Sequence, residues 1–104
     1  MLVKIKRLII EKMKGSPAIP LGATHNIFIK DFYINISNIV SINDYDGVND
    51  FLLREGSSHS NDEFSLVRYL ENQSIVEIIA LGTADSIYKL QHKEKTNGKQ
   101  LLSD

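Results

Sequence analysis

Residues 64–81 read FSLVRYLENQSIVEIIAL, and this stretch gives the clearest indication of secondary structure in the sequence. It contains two runs of apolar and β-branched residues, 64–70 and 75–81, separated by the polar segment ENQS. Two such runs around a connection of this length are typical of two antiparallel strands joined by a tight turn. The stretch therefore predicts a β-hairpin.

Both faces of this hairpin are rich in apolar residues. In the first run Phe64, Leu66 and Leu70 share one parity, whereas Val67 and Tyr69 share the other. An antiparallel sheet with one solvated face shows cleaner alternation of apolar and polar residues. We therefore expect a helix to cover one face and a loop or a second subunit to cover the other.

Working outward from the hairpin, periodicity and turn residues predict the remaining elements. The expected strands are residues 3–10, residues 27–36 as a hairpin or one bent strand, residues 37–42, and the short segment FLLR at 51–54. After the hairpin, residues 82–93 predict a helix with Thr83 as its N-cap and Asp85 in its first turn. This order predicts an α+β fold, a small antiparallel β-sheet with one C-terminal α-helix.

The expected organisation is a single domain over residues 1–93, followed by a polar C-terminal tail over 94–104. The segment 12–26 contains an uncharged loop with Gly15, Pro17, Pro20 and Gly22 as breakers. Its apolar residues would be exposed to water if the loop stood free. We expect the loop to pack on its own sheet or on a neighbouring subunit, which favours a homo-oligomer.

Composition limits the classes of function. The net charge of −1 provides no global basic field for nucleic acid, so nucleic-acid binding is not expected beyond a weak local patch. The chain has no cysteine, which excludes disulfides and thiol catalysis. Charged residues interrupt the N-terminal segment, so we expect neither a signal peptide nor a membrane helix, and a cytoplasmic location.

No motif predicts catalysis, a cofactor or a metal. The acidic loop at 43–50 would need Ile42 and Leu53 at the first and last ligand positions of a calcium loop centred on Gly47, and neither can coordinate calcium. The histidines His25, His59 and His92 lie in different elements, and no phosphate-binding glycine motif is present. We therefore expect a protein that is not an enzyme.

The arginines allow two interpretations. Arg68 lies in a strand parity that is otherwise apolar, so it either pairs with a glutamate at the sheet surface or lines an anion site. In the second case an aromatic neighbour of the arginine would stack on the base of a nucleotide-type ligand. The candidate ligand-binding residues are Arg54, Arg68, Tyr69 and His25.

Two segments, FYINISNIVSI at 32–42 and FSLVRYLENQSIVEIIALGTADSIYKL at 64–90, carry a resemblance to known proteins. Together with Asn35, their hydrophobic spacing over about residues 32–92 resembles small β-meander-plus-helix proteins of the SwrD/FlbD flagellar type. It is also similar in outline to phage sponge proteins that counter the Thoeris defence system. The latter resemblance implies an oligomer that sequesters a cyclic ADP-ribose signal.

The leading expectation is therefore a non-enzymatic protein that sequesters a small anionic nucleotide-type signalling molecule. The first alternative is a protein–protein interaction or regulatory module that acts through its sheet edge and apolar loop. The second alternative is a weak nucleic-acid binder, whose affinity would fall steeply with salt.

Overall fold

The computed structural model describes residues 1–13 and 24–90. Its elements, in chain order, are β1 (Leu2–Lys12), β2 (His25–Asn35), a 3₁₀ turn (Ile36–Asn38), β3 (Ile39–Tyr45), α1 (Asn49–Arg54), β4 (Phe64–Glu71), β5 (Ser74–Leu81) and the helical turns at 84–90, here α2. The strands form one sheet in the order β2-β1-β5-β4-β3, and every described pairing is antiparallel. The α+β fold class is confirmed.

The predicted hairpin is present as β4 and β5, with Phe64 opposite Leu81 and Glu71 opposite Ser74. The two turn residues, Asn72 and Gln73, both have positive φ, 50° and 68°. Positive φ at both central positions is characteristic of a type I′ turn, whose twist matches that of the flanking strands. The turn therefore sets the strand register on which both cores depend.

The sheet is strongly curled, because its two edge strands are joined directly. In a flat five-stranded sheet the edge strands would lie about 19 Å apart, whereas three residues of 3₁₀ helix advance only about 6 Å. The Asn35 carboxamide oxygen accepts from the backbone N–H of Ser37 at 3.1 Å and from its hydroxyl at 2.8 Å, which stabilises this turn. Curling brings the two ends of the sheet around one core.

This first core lies inside the curl. It contains buried side chains from four strands and from α2: Val3, Ile5, Ile34, Val67, Tyr69, Ile78, Ala80 and Ile87. Ile87 is 2% exposed, so α2 covers the open side of the curl. The Thr83 hydroxyl accepts from the N–H of Ser86 at 3.1 Å, and this confirms the predicted N-cap.

The opposite face carries a second core that is covered by α1. Its buried residues are Leu8, Val48, Leu52 and Phe64, with apolar side chains of β1, β2 and β5 packed around them. The helix expected over one face of the central hairpin is α2. Over the other face a loop or a second subunit was expected, and this part was wrong for the second core, because α1 of the same chain covers it. The helix that covers it is not the C-terminal one.

The prediction of a strand at 51–54 was wrong, because these residues belong to α1. Val48, Phe51 and Leu52 have the i, i+3, i+4 spacing of a helical face, and this face packs on the second core. The helix ends at Arg54 with Glu55 as its C-cap, and the following Gly56 has a φ of +70°, the left-handed conformation that terminates helices. Within residues 1–13 and 24–90 the fold therefore has two helices, α1 and α2, rather than one C-terminal helix.

Two further predictions need correction. Residues 27–35 belong to the continuous strand β2, which pairs with β1 from Asn35 to His25, so the hairpin alternative was wrong and residue 36 already lies in the 3₁₀ turn. The strand predicted at 37–42 begins only at Ile39, after the 3₁₀ turn. The apolar loop predicted between 12 and 26 and the tail at 94–104 lie largely or wholly outside the described residues.

Replacing Leu52 by alanine tests whether α1 is an integral part of the fold. Leu52 is fully buried, whereas the adjacent Leu53 is 65% exposed. We expect Leu52→Ala to lower the free energy of unfolding by about 2–5 kcal/mol. The matched Leu53→Ala should change it by less than about 0.5 kcal/mol. Urea denaturation measures both, and equal losses would contradict the packing of α1 on the second core.

Candidate functional site

β3 presents an edge of the sheet. It pairs with β4 on one side, and no described strand pairs with its other side. Alternate residues of an edge strand direct their N–H and C=O groups away from the sheet, so they offer hydrogen bonds to another extended chain. β3 has seven residues, which corresponds to about 23 Å of strand.

A groove runs between this edge and α2. It is a shallow depression of about 390 Å³ that is open to solvent. Its walls are formed by Ile39, Val40, Ser41 and Ile42 of β3 and by Ala84, Asp85 and Tyr88 of α2. Val40 is the residue at which the register of the β3–β4 pair shifts, and it is 52% exposed, which leaves an apolar surface at this irregularity of the strand. The groove can therefore accept apolar side chains beside an open strand edge.

Ser41 of β3 carries an unusual polar group. Its hydroxyl oxygen is buried and has no hydrogen-bond partner among the described residues. A buried hydroxyl that lacks a partner costs about 1–3 kcal/mol, and such groups are rare in folded proteins. Ser41 is paired with Arg68, so its side chain lies on the second face of the sheet, opposite to the face that α2 covers.

An acidic cleft of about 390 Å³ lies at the far end of β3. It is lined by Asp44, Tyr45, Asp46, Asn49, Asp62, Glu63, Phe64 and Thr83. Four of these residues carry carboxylates, and no lysine or arginine is among them. The cleft therefore attracts cations and repels anions.

Hydrogen bonds fix the walls of the acidic cleft. The side-chain amide of Asn49 donates to the backbone carbonyls of Ser60 and Asp62, both at 2.9 Å. The His59 ring nitrogen Nδ1 lies 2.7 Å from the carboxylate of Asp62. These contacts hold the loop between α1 and β4 against the N-terminus of α1, so the carboxylates that this loop contributes to the cleft are held in position.

The groove and the acidic cleft meet at Asp44. Its carboxylate accepts from the backbone N–H of Ala84 at 2.7 Å, which ties the start of α2 to β3. Ala84 lines the groove and Asp44 lines the cleft. An extended chain along β3 would therefore pass from an apolar surface at 39–42 to an acidic one at 44–46.

Among residues 1–13 and 24–90, no three carboxylate or histidine side chains lie close enough together to hold a metal ion. Two of the carboxylates are already engaged, Asp44 with the N–H of Ala84 and Asp62 with His59. The acidic surface therefore suits a cationic side chain better than a bare cation.

The structure separates two of the residues predicted to bind a ligand. Arg68 lies on the second face of the sheet, half exposed, with its Nε 3.6 Å from a carboxylate oxygen of Glu77. Tyr69 lies on the first face, 7% exposed, with its ring 5.8 Å from that of Phe32. Burial raises the pKa of Tyr69. Consecutive strand residues point to opposite faces, so these two side chains cannot contact one small ligand together.

The other two predicted residues lie near the ends of α1 and β2. Arg54 is exposed in the last turn of α1. The ring of His25 contacts Phe51 edge-on at 5.0 Å, and its Nδ1 lies 3.2 Å from the Glu55 carboxylate. None of the four predicted residues lines the groove or the acidic cleft.

The site residues that sequence reasoning missed are those of the groove and the cleft. They come from β3, the loop before β4 and the start of α2, which are far apart in sequence. The acidic loop at 43–50 is recognisable in the sequence as a cluster of carboxylates. Its spacing does not match a calcium-binding loop, and the cluster by itself does not indicate a neighbouring strand edge.

Glu55 joins α1 to the β1–β2 hairpin. Its carboxylate is only 7% exposed. It accepts from the backbone N–H groups of Thr24 and His25 at 2.8 and 2.7 Å and from the Thr24 hydroxyl at 2.9 Å. Burial alone would raise the pKa of Glu55, but these hydrogen bonds together outweigh it and lower the pKa. The ionised carboxylate is therefore the form that holds the hairpin on α1.

Comparison of the chain with protein-family models, with curated proteins and with solved structures finds no match. Within residues 1–13 and 24–90, no helix has the length and apolarity that a membrane crossing requires.

Replacing Glu55 by glutamine should lower the melting temperature at neutral pH, because the amide cannot accept all three hydrogen bonds. A carboxyl group with a lowered pKa stabilises the fold above its ordinary pKa and loses that contribution as the pH falls through the folded-state value. The difference between wild type and Glu55→Gln should therefore shrink on acidification. Thermal melts across this pH range measure it.

The exposed Glu11 provides the control for this experiment. Glu11→Gln should leave the melting temperature nearly unchanged at neutral pH. Equal effects of the two substitutions, or a Glu55→Gln effect that does not depend on pH, would contradict the role assigned to Glu55.

Proposed function

We propose that this protein is a non-enzymatic interaction module that binds an extended segment of a partner protein by strand addition to β3. The observation that carries this proposal is the open edge of β3 beside the groove formed with α2. In this mode of recognition, main-chain hydrogen bonds provide affinity and pockets for alternate side chains provide specificity.

The dimensions support a peptide ligand. A partner strand of about seven residues would span β3. Every second side chain of that strand would face the groove, where Ile39, Val40 and Tyr88 provide apolar and aromatic surface. The flanking helix is anchored by Ile87 in the first core, so the groove is largely formed before binding.

Sequestration of an anionic nucleotide, the leading expectation from the sequence, receives less support from the geometry. A phosphate site needs converging cationic groups or backbone N–H donors. The acidic cleft presents carboxylates instead, and Arg68 lies beside Glu77 on an open face. Nucleotide sequestration and homo-oligomerisation stay predictions, and native mass spectrometry with cyclic nucleotides and cyclic ADP-ribose isomers tests both.

Strand addition is tested with two fluorescent heptapeptides that share an apolar half. One is basic, Lys-Arg-Lys-Thr-Val-Thr-Val, and the other is neutral, Gln-Ser-Gln-Thr-Val-Thr-Val. In the variant Val40→Glu, a charge on the outer side of β3 opposes strand pairing and apolar contact. We expect it to weaken the binding of both peptides about tenfold or more, which is about 1.4 kcal/mol.

The matched control is Ile75→Glu, which places the same charge on a 59% exposed isoleucine of β5, outside the groove. It should leave the affinity for both peptides unchanged. The carboxylate added in Val40→Glu would by itself attract the basic peptide. Weaker binding of that peptide to this variant must therefore result from disrupted pairing at the edge of β3. Failure of both peptides to bind the wild type, or equal affinity of the two variants, would contradict strand addition.

A further inference from the structure

We infer that the partner segment is basic at its N-terminal end, apolar at its C-terminal end, and antiparallel to β3. This inference rests on the proposed function and specifies the chemistry of its ligand. It follows from the order of surfaces along the strand, since the groove lies at 39–42 and the acidic cleft at 44–46.

The negative charge of the acidic cleft determines which end of the partner segment is basic. The carboxylates of Asp46 and Glu63 are on exposed residues and have no ion-pair or hydrogen-bond partner among the described residues. Lysine and arginine carry a charge on a long apolar stem, so their heads can reach these carboxylates while the stems pack on the partly exposed Tyr45. Arginine can in addition bind a carboxylate through two parallel hydrogen bonds.

The direction of the segment follows from the pairing geometry. Antiparallel pairing is slightly more stable per residue than parallel pairing, and all described pairs of this sheet are antiparallel. A partner strand antiparallel to β3 begins opposite Tyr45 and ends opposite Ile39. Its first residues therefore face the acidic cleft, and its last residues face the groove.

The order of residues is tested with a third heptapeptide of the same composition as the basic one but reversed, Val-Thr-Val-Thr-Lys-Arg-Lys. We expect the basic-first peptide to bind about tenfold more tightly than the reversed and the neutral peptides at low salt. Salt screens exposed charges over about 10 Å at 0.1 M ionic strength, so the advantage over the neutral peptide should shrink as salt is added.

The role of the acidic cleft is tested with the double variant Asp46→Asn/Glu63→Gln. It should reduce the preference for the basic-first peptide over the neutral peptide several-fold, because two of the four cleft carboxylates are removed, while binding of the neutral peptide stays unchanged. Asp44 and Asp62 are left intact, because they hold Ala84 and His59.

The matched control is Glu11→Gln/Glu77→Gln, which makes the same change in net charge at two exposed positions outside the cleft. This control should keep the preference for the basic-first peptide. If it removes the preference as fully as the cleft variant does, a general charge effect would explain the binding and the inference would be overturned.

The outcomes separate this inference from the proposed function. If the basic-first and neutral peptides bind equally and both are weakened by Val40→Glu, strand addition stands and the basic partner is overturned. If the reversed peptide binds as tightly as the basic-first one, the antiparallel orientation is overturned. If the basic-first peptide binds but Val40→Glu does not weaken it, both proposals are overturned.

Discussion

The structure depends on one constraint, that both faces of the β4–β5 hairpin must be removed from water. Val67 and Ile78 face one way, whereas Phe64 and Ile79 face the other. Burying apolar surface on two sides requires two covers. The first is the curl of the sheet together with Ile87 of α2, and the second is α1, which places the fully buried Leu52 against the opposite face.

The same constraint produces the candidate site. To cover the first core, α2 has to lie beside β3, and it is held there by Ile87 and by the bond from its first N–H to Asp44. A helix anchored at these points leaves a groove along the strand instead of sealing the edge. The loop between α1 and β4, fixed by Asn49, brings further carboxylates to the end of that groove.

The sequence predicts those elements whose signals are local. The hairpin, its turn and the Thr83 cap follow from periodicity and capping residues. The four residues FLLR alone are compatible with a strand, and they indicate the helix α1 only together with their flanks. Val48, the acidic Asp50 and Gly56 together mark a short helix. The groove and the cleft depend on the curl of the sheet, which no local pattern encodes. The separation of Arg68 from Tyr69, in contrast, follows from strand periodicity alone.

Strand addition to β3 is tested most directly by the position of a bound peptide, measured by nuclear Overhauser effects between isotope-labelled protein and unlabelled Lys-Arg-Lys-Thr-Val-Thr-Val. We expect contacts between α-protons of the peptide and of residues 39–45, together with slower hydrogen exchange of the outward amides of β3. Contacts with β2, or with the exposed face around Arg68 and Glu77, and unchanged exchange in β3 would contradict it.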